Sequence, residues 1–290
     1  MKKYLILSMV LAVLLILPAY GFCDEWQEVV ENIGNGSINW TKGIIQAKGV
    51  GASLKAARLD AMRNLLEVTQ GVRIDSNTMV KNFAITNDVI MAKVSGMVKG
   101  TQVVKQEYLS DGTVEVTMQM SLYGGFAQLV LPQEIKQVES IKPVPSQTIT
   151  PEAPFLSVEP AKPSPAVPSK TAEKPTSEIY TGLVVNTKGL NARPAMSPKI
   201  IDENGQEVYG SAFVSREYAV QQGMSGYAKD MTAAQSNPRV TNNPLTVKGL
   251  RTEGPGKADI VISNADAFRL RSASEHLSFM KKCRVIIVVD

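Results

Sequence analysis

Val114-Glu115-Val116-Thr117-Met118-Gln119-Met120-Ser121-Leu122 sets apolar and polar residues in strict alternation. Successive side chains of a β-strand point to opposite faces, so this stretch predicts a half-buried strand with one dry face. Asp111-Gly112 just before it is a hairpin turn signal, which makes Thr101 to Leu109 the antiparallel partner. A two-stranded ribbon cannot bury a dry face by itself, so further elements must cover it.

They lie on its N-terminal side. Leu54 to Gln70 carries Leu54, Ala57, Ala61, Leu65 and Val68 at spacings of three and four, with Met62 and Leu66 widening the stripe. That is the period of an amphipathic helix. Ser53 is placed to cap its start and Gly71 to end it. A second helix is expected within Asp88 to Val98, a strand within Asn39 to Lys48, and a short helix over Glu25 to Ile33. The order strand, helix, helix, hairpin predicts an α+β domain over residues 24–136: an antiparallel sheet with helices packed on one face.

Two segments frame this domain. Lys2 and Lys3 precede an apolar run from Tyr4 to Leu17, broken by Pro18 and followed by small residues. The run is shorter than the ~20 residues that span a bilayer, so residues 1–23 read as a cleaved secretory signal peptide. Cys23 is a candidate lipid-attachment residue, although Phe22 directly before it fits that processing poorly. On the other side, nine of the 16 prolines fall between Pro143 and Pro175. Residues 137–177 therefore predict a Pro-rich extended linker, which reads first as a mere spacer and otherwise as a tether that lets one domain sit on a surface while the other searches nearby.

Residues 178–290 predict a second small α/β or α+β domain. Strands are expected over Thr181 to Val185, Asp259 to Ile262 and Arg284 to Val289, the last placed centrally in a sheet, with a hairpin around Asn204-Gly205. Asn264 is expected to cap a helix to about Ala273, Tyr218 to Gln235 is weakly helical, and Asn237 to Gly256 reads as loop.

Composition narrows the function. The 290 residues hold 31 Lys+Arg against 27 Asp+Glu, one His and two Cys. A net charge of +4 is too small for a generally basic nucleic-acid binder. One His and two Cys are too few for most zinc sites and for disulfide scaffolds. Gly49-Val50-Gly51 lacks the third glycine of a dinucleotide turn, since Leu54 stands there, and a tight strand-to-helix turn accounts for the pair. His276 has neighbouring serines but no nucleophile elbow, and Cys283 has no evident base. Asp202, Glu203 and Glu207 read as solvated turn charges, and the six methionines between Met62 and Met120 as core. No catalytic residue, metal or cofactor is expected. Arg193, Arg239 and Arg251, on loops of unusual composition, are the candidate contacts for an anionic ligand or partner.

Ala47-Lys48-Gly49-Val50-Gly51, the helix through Ala56-Ala57-Arg58-Leu59-Asp60-Ala61, and the closing Val114-Glu115-Val116-Thr117-Met118 together resemble the LPP-twenty lipoprotein family. The related flagellar proteins FlgP and FlgT carry similar modules. The resemblance covers residues 24–125 and rests on packing motifs. It implies a periplasmic or outer-membrane-associated module without catalysis, whose partners are envelope or flagellar proteins or further copies of itself, with no nucleic acid and at most peripheral membrane contact. The C-terminal half looks like a region attached to this module in some bacterial homologues. The rival reading is a periplasmic ligand- or surface-recognition module that uses the C-terminal loops.

Overall fold

Leu54–Gln70 forms the predicted helix, α1, in the computed structural model, which describes residues 27–85, 87–132, 180–272 and 276–290. The signal peptide, Cys23 and the linker at 137–177 lie outside the described residues. Ser53 caps α1 through its side chain, which accepts from the Ala56 N–H, and Gly71 follows its last residue. Ala57, Ala61, Leu65 and Val68 are fully buried, whereas Leu54 in the first turn is exposed. Burial of side chains such as Leu65 and Val68 contributes about 1.5–3 kcal/mol each.

The face that α1 covers belongs to a five-stranded antiparallel sheet of β1 (Val30–Ile33), β2 (Gly36–Asn39), β3 (Ile44–Gly51), β4 (Gln102–Tyr108) and β5 (Val114–Ser121). Their spatial order is β1-β2-β3-β5-β4. Ile38, Ile45, Ala47, Val116 and Met118 form the dry face. Helix and sheet meet at backbone distance. A Cβ on Gly49 would lie 2.0 Å from the Ala61 amide nitrogen, so the glycine serves close approach of strand and helix rather than a turn. Helices α2 (Val80–Ile85), α3 (Asp88–Lys99, capped by Asn87) and α4 (Gly125–Val130) complete this half.

The expected helix at 25–33 is replaced by strand at Val30–Ile33. Val30-Glu31-Asn32-Ile33 alternates in burial, and Gly34-Asn35 turns the chain into β2.

The C-terminal half holds a seven-stranded mixed sheet. It consists of β6 (Gly182–Asn186), β7 (Ile200–Ile201), β8 (Glu207–Tyr209), β9 (Gly226–Ala228), β10 (Pro244–Glu253), β11 (Asp259–Ile262) and β12 (Val285–Val288). The order is β8-β7-β11-β10-β6-β12-β9. β6, β10, β12 and β9 run parallel, and β12 is buried along its length between two neighbours. Helices α5 (Arg216–Gln222), α6 (Met231–Gln235), α7 (Asn264–Ser272) and α8 (His276–Lys281) flank it. The two segments together form an α+β protein, as the strand and helix patterns predict.

Two local expectations fail here. The loop at 237–256 contains a ten-residue strand in the middle of the sheet, and the weakly helical 218–235 is split by β9. Asp202 is also no solvated turn charge. It is buried, accepts from the N–H groups of Asn204 and Gln206 at 2.9 Å each, and pairs with Arg271 at 2.8 Å.

The halves are docked against each other. One contiguous hydrophobic core runs from Val29 through both sheets to Val289. Among the described residues the two sheets thus share one core, and the halves sit against each other.

Candidate functional site

The seam between the halves is built from the loop after α1. Arg73 is buried and donates to the Pro194 carbonyl and, at 3.1 Å, to Glu31. Glu31 also pairs with Arg193 from the C-terminal half. Burial works to raise the Glu31 pKa, but the two guanidinium groups outweigh it and hold the carboxyl below its usual range. Met196 and Ser197 donate their N–H groups to the carbonyls of Arg73 and Ile74.

Three residues on, Ser76 is inserted into the turn between β10 and β11. Its Oγ accepts from the N–H groups of Ala258 at 3.0 Å and Asp259 at 2.8 Å and donates to the Glu253 carbonyl at 3.0 Å. The serine supplies partners to the N–H groups of buried Ala258 and half-buried Asp259 at the foot of a turn whose tip is exposed. A cleft of about 480 Å³ beside it is lined by Glu31, Arg73, Asp75, Asn82, Arg193 and Gly256 among others. Its cations already face the Glu31 carboxylate.

The far end of the seam is aromatic and helical. Trp40 meets Tyr227, and Thr41 donates to the Tyr227 carbonyl at 3.0 Å. The Tyr123 ring fills space that side chains on Gly43 and Gly223 would need, and both glycines have positive φ. Arg216 donates to the carbonyls of Gln128, Leu131 and Pro132. It thereby satisfies acceptors at the end of α4 that a helix leaves open.

The three predicted contact arginines are not brought to a shared partner. Arg193 serves the Glu31 ion pair. Arg239 holds the ends of two elements together, donating to the Gln222 and Cys283 carbonyls at 2.8 Å each and to that of Gly223. Arg251 is exposed and pairs with Glu253 on its own strand. Periodicity could not show this, because the acceptors are backbone carbonyls and a glutamate 162 residues away.

Cys283 is buried at φ +54° just before β12, and burial pushes its thiol up to about 11. His276 opens α8, and its side chain lies outside the described residues. Among the described residues no group of three or more His, Cys, Asp or Glu could hold a metal ion, and no helix is long and apolar enough to cross a membrane.

What remains presented outward is the N-terminal sheet away from α1. A groove of about 430 Å³ there is lined by Ser37, Gln46, Lys48, Glu115 and Thr117, among others, and Lys48 pairs with Glu115 at 2.8 Å. At the sheet's edge, β4 is bonded only to β5. Its Val104, Lys105, Gln106 and Tyr108 are exposed, Tyr108 to 75%. A row of free N–H and C=O groups on such an edge is a ready template for another strand.

The family model described as Treponema pallidum Tp0624, second domain, matches residues 182–290. The match begins with β6 and runs through β12, so it takes in the whole seven-stranded sheet. The comparison with curated proteins returned no match.

Proposed function

We propose that this is an exported, non-catalytic structural and interaction protein of the bacterial cell envelope, periplasmic or held at the outer membrane, which assists flagellar or outer-membrane assembly. The observation that carries the reading is the free β4 edge beside an uncovered polar sheet face, on a body whose halves are fastened into one unit. Such an edge recognises partners through main-chain hydrogen bonds and needs no reactive group. Arg239 and Cys283, two candidate residues of the second half, are engaged internally or buried. The resemblance of residues 24–125 to envelope and flagellar modules supports the same setting.

Cell fractionation combined with crosslinking of the intact protein tests this. The mature chain is expected in the periplasmic or outer-membrane fraction, crosslinked to envelope or flagellar proteins. Recovery of the full polypeptide, leader included, from the cytosol would overturn it.

A further inference from the structure

We infer that the β4 edge pairs with the β4 edge of a second copy of this chain, antiparallel and centred on Gln106. This rests on the contact function just proposed and names its first partner.

Backbone parity sets the first constraint. Leu109 donates its N–H to the Thr113 carbonyl at 2.8 Å, and β4 keeps one register against β5 from Lys105 through Tyr108. Main-chain groups of an antiparallel strand alternate between the two sides. Lys105, Glu107 and Leu109 therefore turn their N–H and C=O toward β5, and Gln106 and Tyr108 turn theirs outward. A two-fold axis at Gln106 sets outward groups against outward groups, so the two Gln106 residues exchange a pair of hydrogen bonds.

Side chains set the second constraint. With the axis at Gln106, Lys105 of each copy stands opposite Glu107 of the other, on the uncovered face of the sheet. At present these two residues pair only along their own strand, at 2.8 Å, both about half exposed. Tyr108 of each copy reaches the bulge at Val104, where β4 shifts register against β5, so the regular part of the pairing runs from Lys105 to Glu107. An axis at Lys105 would oppose two lysines, and one at Glu107 two glutamates. Opposed like charges destabilise a strand pair and opposite charges favour it. Of these three axes only the one at Gln106 opposes unlike charges, and it joins two five-stranded sheets into one continuous sheet with both α1 helices on the same side.

Sedimentation equilibrium on the purified full chain reads the dimer, and charge exchange tests its register. Lys105→Glu and Glu107→Lys are each expected to weaken self-association by about ten-fold or more through like-charge contacts. A mixture of the two variants, and the double exchange in one chain, should recover it. The thiol introduced by Gln106→Cys, in a Cys23→Ser background, should form an intermolecular disulfide under mild oxidation. A wild-type chain that remains monomeric at high concentration overturns the inference, even if its β4 edge crosslinks to a different envelope protein. So does a dimer indifferent to both charge variants or to the Gln106→Cys thiol. Those failures leave the envelope reading intact, because fractionation decides it separately.

Discussion

Trp40, in the turn after β2, and Tyr227 of β9 meet edge to face across the two halves, with ring centroids 5.8 Å apart and planes at 71°. The phenol of Tyr227 is fixed in turn by Ala195. It donates to the Ala195 carbonyl at 2.8 Å and accepts from its N–H at 2.9 Å. Burial pushes the phenol up to about 12, so it stays protonated and keeps both bonds at neutral pH. Tyr227→Phe keeps the ring but strips Ala195 of both partners. A loss of about 1–3 kcal/mol is expected, as a single shifted urea transition. Separate transitions for the two halves would contradict the shared core.

Ser76 is the corresponding fastener at the opposite end of the seam. Ser76→Ala leaves the N–H groups of Ala258 and Asp259 without their side-chain acceptor. Thermal denaturation should show a cost of about 1–3 kcal/mol. An unchanged melting temperature would mean that water reaches the turn freely.

Glu31 makes the seam sensitive to acid. Its folded pKa lies below the ordinary value of 4.5, despite burial, because Arg73 and Arg193 favour the carboxylate. A depressed carboxyl contributes its full stability above the unfolded value and loses it as pH falls through the folded one. The urea midpoint of the wild type should exceed that of Glu31→Gln at pH 7, and the gap should close as pH drops below about 4.5. A gap of equal size at pH 3 and pH 7 would refute this account.

Cys283 should be inert in the folded chain. Its buried thiol, raised to about 11, is expected to react with a thiol reagent only at the rate of unfolding. Labelling within seconds at pH 8 in the absence of denaturant would show that the segment before β12 opens.

Limited proteolysis distinguishes docked halves from tethered ones. The proline-rich composition directs cleavage to residues 137–177. Because the halves share one core, the fragments should co-elute in gel filtration and separate only in denaturant. Fragments that part under native conditions would restore the picture of two independent domains.

The elements legible in the sequence are those in which local pattern and tertiary burial agree. Leu54–Gln70 carries its own caps and stripe, and Val114–Ser121 carries its own alternation. β10 was hidden because Pro244 and Gly249 argue for loop, although a proline is tolerated as the first residue of a strand. Its alternation was nevertheless present, with Leu245, Val247 and Gly249 facing in and Thr246, Lys248 and Leu250 facing out. The seam was not legible at all. Arg73 and Ser76 look like ordinary loop residues, and their partners across the seam, Pro194 and Glu253, lie more than a hundred positions away in sequence.

The parallel pairing of β6 with β12 sets a timetable for the chain. Leu183 lies opposite Val285, so the second sheet waits for roughly a hundred further residues before β6 gains that neighbour. At ~5–20 residues per second, synthesis leaves this half open for about 5–20 s after β6 emerges. During that interval the apolar segment of β6 has no β12 to cover its edge.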